Sequence, residues 1–140
     1  MLCEPDLERI SVTVRSALPA RLPAVMVDIL QIQQVLLNLL RNSIEAICES
    51  KMIDGSIRIE AKLAGAEFLE VIVADSGPGF PPERIESAFL PLSSNKPEGL
   101  GIGLSLCRSI IEAHGGKFRL DAGSMGGSVR FTLPVAMEHV

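Results

Sequence analysis

The sequence predicts an α+β fold, a two-layer sandwich in which the helices pack on one face of a mixed sheet. Three features indicate it: a long stretch with helical apolar spacing, strand-like segments that come in pairs, and glycine-rich breaks between them. The strands follow each other in pairs and do not alternate one by one with helices, which favours this class over a doubly wound sheet. The 140 residues are assigned to a single domain, with an ordered core over roughly 9–135.

The first third is expected to hold two strands and a long helix. Residues 9–18 are rich in β-branched side chains and are predicted as a strand, and residues 24–27 as a short second strand. Asp28 is placed to cap the helix that follows, which runs to about Ser50. The apolar stripe of this helix comprises Ile32, Val35, Leu36, Leu39, Leu40, Ile44 and Ile47.

Glycine-rich breaks define the remaining elements. Gly55 is expected to act as a breaker after the first helix. His114-Gly115-Gly116 is a helix stop, and His114 is expected to cap that end as a cation. The predicted elements are strands over 56–63 and 68–74, a loop over 75–82, a short helix near 83–88, a loop over 90–99, a long helix opening after Gly103, and strands over 117–122 and 128–135.

Composition excludes several classes of function. A net charge of −4 and a pI near 5.2 lack the basic footprint of a nucleic-acid-binding domain. No apolar run reaches the ~18 residues of a membrane span, and the acidic first residues do not form a signal peptide, so a cytoplasmic location is expected. Cys3, Cys48 and Cys107 are widely spaced, which predicts neither a zinc site nor a disulfide framework.

Two asparagines lie one turn apart in the middle of the first long helix. Asn38 and Asn42 share a face, which Glu45 continues. Asn costs up to about 0.7 kcal/mol relative to Ala inside a helix, so its repeated use needs a reason. One interpretation is a polar ledge whose amide oxygens hold a metal–phosphate group. The other is a solvated helix face, and this motif alone leaves both open.

An acidic, glycine-rich turn follows an apolar strand at Asp75-Ser76-Gly77-Pro78-Gly79. A carboxylate at a strand end can accept a hydrogen bond from an exocyclic amine. The two glycines let the backbone approach a flat ring closely. The alternative is an ordinary tight turn capped by an aspartate.

Alternate glycines at Gly99, Gly101 and Gly103 lead into the second long helix. A helix N-terminus presents free N–H groups to a phosphate, and Lys96 supplies a cation just upstream. The spacing matches neither the dinucleotide-binding fingerprint nor a P-loop. A flexible loop is the alternative.

In this order the motifs resemble those of the GHKL superfamily of ATP-binding proteins, which includes gyrase, Hsp90, MutL and histidine kinases. Residues 34–46 resemble its N box, 75–79 its G1 box, 89–96 its F box and 99–104 its G2 box. The chain is similar in particular to histidine kinases of the oxygen- and nitrogen-sensing branch. The resemblance covers the chain from about residue 9 and implies the Bergerat ATP-binding fold.

The resemblance implies a site for ATP and Mg²⁺. Asn42 would coordinate Mg²⁺, Asn38 would support the phosphate–metal network, and these two are the implied catalytic residues. Asp75 would bond the adenine amino group. The other implied nucleotide-binding residues are Arg41, Glu45, Gly77, Gly79, Lys96, Gly99, Leu100, Gly101, Gly103, Leu104 and Ser128.

The same resemblance implies a protein histidine kinase. Its γ-phosphoryl acceptor would be a histidine on a separate dimerisation domain of the same kinase. A response-regulator receiver domain would be the next partner downstream. The full-length protein would be a homodimer, and this stretch alone a monomer that does not phosphorylate itself. Two alternatives stay open: a GHKL-type ATPase, which measurable hydrolysis would favour, and a nucleotide-binding scaffold without catalysis.

Overall fold

The computed structural model describes residues 11–17, 25, 27–49, 54–79, 100–121 and 126–136. The strands of this part form one sheet in the order β1-β2-β3-β5-β4. β1 pairs with β2 in parallel and the other neighbours are antiparallel, so the sheet is mixed, as predicted. The elements are β1 (Ser11–Ala17), α1 (Ile29–Glu49), β2 (Asp54–Ala64), β3 (Phe68–Asp75), α2 (Leu100–Ala113), β4 (Phe118–Asp121) and β5 (Ser128–Pro134).

Both helices cover the same face of the sheet, which confirms the predicted sandwich. α1 contacts β2 and β3, α2 contacts β4 and β5, and the helices contact each other. Alternate strand residues point into this layer, since a strand has a period of two. Among the described residues, no helix is long and apolar enough to cross a membrane. The core cluster consists of Val35, Leu39, Ile47, Ile57, Val73, Leu104, Cys107, Ile110, Ile111, Phe118, Leu120, Val129, Phe131 and Leu133.

The N-terminus of α1 is capped as the sequence predicts. The carboxylate oxygen Oδ1 of Asp28 accepts a hydrogen bond from the backbone N–H of Gln31, at 3.2 Å. The helix would otherwise leave that donor without a partner, because its first four N–H groups have no acceptor within the helix. The cap therefore fixes where α1 begins, and with it the register of the Asn38 and Asn42 face.

Asp28→Ala is expected to lower the free energy of unfolding by about 1 kcal/mol, the usual value of an N-cap. Denaturant unfolding should show a lower midpoint with an unchanged slope. Asp28→Asn keeps an acceptor oxygen and is the matched control. Equal midpoints for the Ala and Asn variants would contradict a capping role.

α2 begins earlier than predicted, at Leu100 and not after Gly103. Glycine has a low helix propensity, so a glycine-rich segment is interpreted as a loop from sequence alone. In the structure Gly101 and Gly103 lie in the first turn of the helix, and the N–H groups that precede Gly103 in this turn have no acceptor inside the helix. This start puts the glycine-rich motif at the N-terminus of α2 itself.

The C-terminus of α2 is a Schellman motif, as His114-Gly115-Gly116 predicts. Gly115 has a φ of 84°, a left-handed conformation that favours glycine. Its N–H donates to the carbonyl of Glu112 at 3.0 Å, and the N–H of Gly116 donates to that of Ile111 at 3.0 Å. The predicted helix stop is therefore confirmed.

His114 caps the C-terminal end of α2, as the sequence predicts, and also links the two helices. Its Nε2 accepts a hydrogen bond from the backbone N–H of Asp28 at 3.1 Å. Its Nδ1 lies 2.7 Å from the carbonyl oxygen of Ile110. Because an N–H group can only donate, Nε2 is the acceptor in its bond with Asp28, and Nδ1 is the ring nitrogen that faces Ile110. The imidazole thus caps α2 and holds the start of α1 beside it.

Four other predictions need correction or fall partly or wholly outside the described residues. Gly55 lies inside β2 and does not end an element. A Cβ atom there would sit 2.5 Å from Cγ2 of Ile47, so the glycine allows α1 to pack on the strand. Of the predicted strand over 24–27 the structure describes residues 25 and 27, and Val25 forms an isolated bridge with Val135. The helix near 83–88 and the loop over 90–99 lie outside the described residues.

The cysteines also differ from expectation. Cys48 is disulfide-bonded in the structure, whereas the spacing of the cysteines predicts no disulfide framework. Cys107 is free and buried.

The face of the sheet opposite the helices carries ion pairs. Arg130 Nε lies 2.6 Å from Oδ2 of Asp121, and Arg130 NH1 lies 3.5 Å from Oε1 of Glu70. The hydroxyl of Ser128 donates to the same Oδ2 of Asp121 at 3.1 Å. Burial opposes ionisation of Asp121, but the hydrogen bonds from Arg130 and Ser128 outweigh it, so the pKa of this carboxyl is lowered.

A carboxyl with a lowered pKa in the folded state adds stability above its unfolded pKa, near 4, and that stability is lost as pH falls below it. Asp121→Asn is therefore expected to lower the thermal midpoint at pH 7. The midpoint of the variant should also fall less than that of the wild type between about pH 5 and pH 3. Glu60→Gln is the control, since it removes the more exposed Arg58 pair. Parallel pH profiles for Asp121→Asn and wild type would contradict this assignment.

Candidate nucleotide site

The face of α1 that carries Asn38, Asn42 and Glu45 turns inward, which contradicts the solvated-face interpretation. Asn38 and Asn42 are half-buried and Glu45 is only 5% exposed. Leu39 and Ile47 flank them in the core. Burying such groups costs free energy unless they meet partners, so this helix face is built to meet something polar.

Asn42 has a buried amide nitrogen without a partner. No hydrogen bond from the described part of the chain reaches its Nδ2 atom, although the atom has almost no contact with solvent. Buried polar side-chain atoms nearly always have a partner, and an orphan calls for an explanation such as a missing ligand. The nitrogen and oxygen of an amide exchange places when the group turns over. The position of Nδ2 can therefore present either a donor to a phosphate oxygen or an oxygen to a cation.

The N-terminus of α2 faces Asn38. A Cβ atom built on Gly103 would lie 3.9 Å from Cγ of Asn38. The glycine-rich motif and the first asparagine are thus neighbours, as a shared site requires. The first-turn N–H groups of α2 lie at the same end and form the kind of positive helix terminus that binds phosphates.

Asp75 ends β3 with one oxygen held by the backbone. Its Oδ1 accepts hydrogen bonds from the N–H groups of Gly77 at 2.8 Å and Gly127 at 3.2 Å. Within the described part of the chain, Oδ2 accepts no hydrogen bond. Two donors on one oxygen fix the plane of the carboxylate and leave the other oxygen as a positioned acceptor.

Glycines surround Asp75 because backbone and helix approach it closely. A Cβ atom at Gly77 would lie 2.9 Å from Oδ1 of Asp75 and 3.2 Å from Cβ of Ala46 on α1. Gly126 has a φ of 98°, and a Cβ atom there would lie 2.4 Å from the carbonyl oxygen of Asp75. The N–H of Asp75 donates to the carbonyl of Gly127 at 2.8 Å.

Gly126 and Gly127 were not among the residues that sequence reasoning assigned to the site. A glycine-rich segment between two predicted strands indicates only a turn. The contact with Asp75 depends on β5 pairing with β3, which brings Ser128 opposite Ala74. No local pattern reveals that pairing.

The two ends of the site are joined by one face of α1. Asn38, Asn42 and Ala46 follow each other at intervals of four residues, with Asn38 beside Gly103 and Ala46 beside Gly77. Eight residues of helix span about 12 Å. The site is thus elongated, with a positioned acceptor at one end, a helix N-terminus at the other, and the unpartnered Asn42 amide between them.

The structure does not bring every predicted residue to this site. Arg41 is exposed. Leu104 is 8% exposed and its side chain belongs to the core. Gly79, with a φ of 87°, continues the turn after Asp75 as expected. Lys96 and Gly99 lie outside the described residues.

Ser128 lies on the wrong face of the sheet for a contact through its side chain. Val129 and Phe131 point into the core, so the hydroxyl of Ser128 points to the other side, where it bonds Asp121. A depression of about 660 Å³ opens on that side, lined in part by Ser56, Arg58 and Ser128. The depression also reaches Asp75, Gly126 and Gly127 at the end of β3, and none of its described lining residues lies on α1.

Comparison with known proteins gives consistent matches. Residues 27–137 match the model of the family described as histidine kinase-, DNA gyrase B-, and HSP90-like ATPase. The sensor protein FixL of Bradyrhizobium diazoefficiens is 40% identical over 130 residues, which cover 92% of this chain and 25% of FixL. The sensor protein TdiS of Thauera aromatica is 39% identical over 132 residues, covering 93% of this chain and 24% of TdiS. The chain thus spans about a quarter of the length of these relatives.

Solved structures agree with the sequence relatives. The nucleotide-free catalytic domain of the histidine kinase ThkA superimposes with a TM-score of 0.71 at 32% sequence identity. The match covers 94% of this chain and 84% of the ThkA domain. The similarity therefore extends over nearly the whole of both chains.

Proposed function

The chain belongs to the family of histidine kinase-, DNA gyrase B-, and HSP90-like ATPases, and we propose that it is the ATP-binding catalytic domain of a two-component sensor histidine kinase. Membership of this family implies that the domain binds ATP. The observation that supports the site most directly is the buried amide nitrogen of Asn42, which has no hydrogen-bond partner among the described residues. It lies on the helix face that joins Asp75 to the N-terminus of α2.

In this proposal the adenine lies at the Asp75 end. Oδ2 of Asp75 accepts a hydrogen bond from the exocyclic amine, because Oδ1 is already held by Gly77 and Gly127. Gly77 and Gly79 leave room for the flat ring. The triphosphate then extends along α1 toward Gly103, where helix N–H groups face it. The sequence resemblance also assigns Lys96, Gly99, Leu100 and Gly101 to the phosphates, and of these four the structure describes Leu100 and Gly101.

The residues at the phosphate end fit Mg²⁺ held together with ATP. Among the described residues, no cluster of three or more His, Cys, Asp or Glu side chains could hold a metal on its own. Mg²⁺ in nucleotide sites takes one or two protein ligands, and phosphates and water supply the rest. Asn42, supported by Asn38, would hold it, and Mg²⁺ when bound neutralises charge on the β- and γ-phosphates.

The phosphoryl acceptor is proposed to be a histidine on the dimerisation domain of the same kinase. The phosphoryl group then passes from this histidine to a response-regulator receiver domain. Transfer of this kind depends mainly on positioning and charge neutralisation. The chain described here contributes the nucleotide half of that arrangement. We place it in the cytoplasm, as a monomer when isolated and in a homodimer when part of the complete kinase.

Asn42→Ala tests the metal–phosphate end of the site. Wild-type protein is expected to bind ATP more tightly with Mg²⁺ than in the presence of a chelator. Asn42→Ala should lose roughly tenfold in Mg-ATP affinity and little in Mg-free affinity, because only the metal–phosphate contact is removed. Calorimetric titration in both conditions measures this.

Gln33→Ala is the matched control, because Gln33 is an exposed amide on the opposite side of α1. It should bind like wild type in both conditions. An Asn42→Ala variant with wild-type Mg-ATP affinity would contradict the assignment of this residue. Absence of ATP binding by the wild type would contradict the proposed function itself.

A further inference from the structure

Cys107 is a core residue with polar contacts that point into the site. It lies on α2 with no exposed surface. Its Sγ–H donates to the backbone carbonyl of Val35 on α1, at a distance of 3.8 Å. The side chain of Asn38, three residues further along α1, also hydrogen-bonds the thiol. The thiol therefore contacts both the backbone and the polar face of the helix that carries the site.

The chemistry of the thiol fixes the direction of these bonds. Burial raises the pKa of Cys107 to about 11, although the hydrogen bond from Asn38 opposes the rise, so the group is a thiol at neutral pH. A thiol has a single hydrogen, and that hydrogen goes to Val35. The sulfur can then only accept from Asn38, so the amide nitrogen Nδ2 faces the thiol.

Gly103 completes a slot for the Asn38 side chain. It precedes Cys107 by four residues, so both lie on the same face of α2. A Cβ atom at Gly103 would lie 3.9 Å from Cγ of Asn38, and the absence of a side chain leaves that space to the amide. The amide is bounded by Gly103 on one turn of α2 and by the thiol on the next.

We propose that Cys107 is a positioning residue that holds the Asn38 amide in one orientation, with Nδ2 toward the sulfur and Oδ1 left to the phosphate–metal end of the site. The consequence for nucleotide binding rests on the proposed function, whereas the orientation itself does not. Without the thiol, the amide turns over freely between two orientations. Only one of these presents an oxygen, which is the atom that Mg²⁺ or a water bound to it requires.

Two substitutions separate hydrogen bonding from packing. Cys107→Val keeps an apolar side chain of similar size and removes both hydrogen bonds. Cys107→Ser keeps a donor and an acceptor but places a hydroxyl in the core. A packing role predicts that the Ser variant is the more damaged of the two. The positioning role predicts the opposite order for the state of Asn38 and for Mg-ATP binding, whatever the order of the thermal midpoints.

Two measurements are made on the 140-residue chain. The first is the NMR signal of the Asn38 side-chain amide without nucleotide, which should move in Cys107→Val and stay closer to wild type in Cys107→Ser. The second is the gain in ATP affinity on adding Mg²⁺. Cys107→Val should lose roughly three- to tenfold of this gain, the range of one net hydrogen bond, with Mg-free affinity unchanged. Cys107→Ser should recover most of it.

An unchanged Asn38 signal in Cys107→Val would overturn the proposal, as would a Ser variant that loses the Mg²⁺-dependent gain as fully as the Val variant. A wild-type chain that binds no ATP would instead contradict the proposed function. In that case the amide signal alone decides whether Cys107 orients Asn38.

Discussion

Asp75→Asn is expected to reduce ATP affinity at least tenfold while the fold stays intact. The N–H groups of Gly77 and Gly127 both donate to Oδ1, so the asparagine must place its carbonyl oxygen there. Its NH₂ group then occupies the position of Oδ2 and faces the adenine amine as a second donor. A lost hydrogen bond to a charged group is worth about 1.5–3 kcal/mol, which corresponds to tenfold or more in affinity.

The same geometry predicts that the stability of this variant changes little, because the acceptor used by the two glycine N–H groups remains. Calorimetry with Mg-ATP and a thermal melt measure the two quantities separately. Asp121→Asn makes the same chemical change on the opposite face of the sheet and should bind ATP like the wild type. Wild-type affinity in Asp75→Asn would show that the adenine does not lie at this carboxylate.

The isolated chain is expected neither to hydrolyse ATP nor to phosphorylate itself at a rate above background. Hydrolysing members of the superfamily that this sequence resembles carry a glutamate one turn before the metal-binding asparagine, as the base that activates water. This chain has Asn38 there. An amide has no useful basicity, so general-base help of about 10²–10⁴-fold is missing.

Self-phosphorylation is disfavoured by the placement of His114. Both of its ring nitrogens are hydrogen-bonded, one to Ile110 and the other to Asp28. It also lies beyond the C-terminal end of α2, eleven residues after Gly103, or about 16 Å along the helix. The phosphate end of the proposed site is at the other end of that helix. The other histidine, His139, lies outside the described residues.

Much of this arrangement could be predicted from sequence because its signals are local. The apolar spacing of α1, the cap at Asp28 and the stop at Gly115 each depend on residues within one or two turns. The structure confirms all three. The position of Asp75 at a strand end was equally local, since an apolar run precedes it and glycines follow.

The start of α2 was mispredicted because glycine has two uses that look alike in sequence. Gly103 lowers the helix propensity of the first turn, which favours a loop. Its lack of a side chain also leaves space for Asn38, and this packing requirement is visible only once two distant helices are in contact. Gly55 shows the same ambiguity, because it makes room for Ile47 inside a strand.

The face on which Ser128 lies was predictable, although the resemblance to the family suggested otherwise. Val129, Phe131 and Leu133 alternate as the buried side of β5, so the residue before Val129 must point the opposite way. The contact between Cys107 and Asn38 was not predictable. Helical spacing places the cysteine in the core, but which polar group it meets depends on how α1 and α2 are oriented relative to each other.

The most direct test of the proposed kinase role is to follow γ-labelled ATP with Mg²⁺ and this chain alone, then with a histidine-bearing dimerisation domain from a related sensor kinase. The account predicts no label on the chain and no phosphate release above background. It also predicts acid-labile label on the added domain, lost when its histidine is replaced or when the chain carries Asp75→Asn. Label on the chain alone, or steady phosphate release that Asn38→Ala abolishes, would contradict it and favour an ATPase.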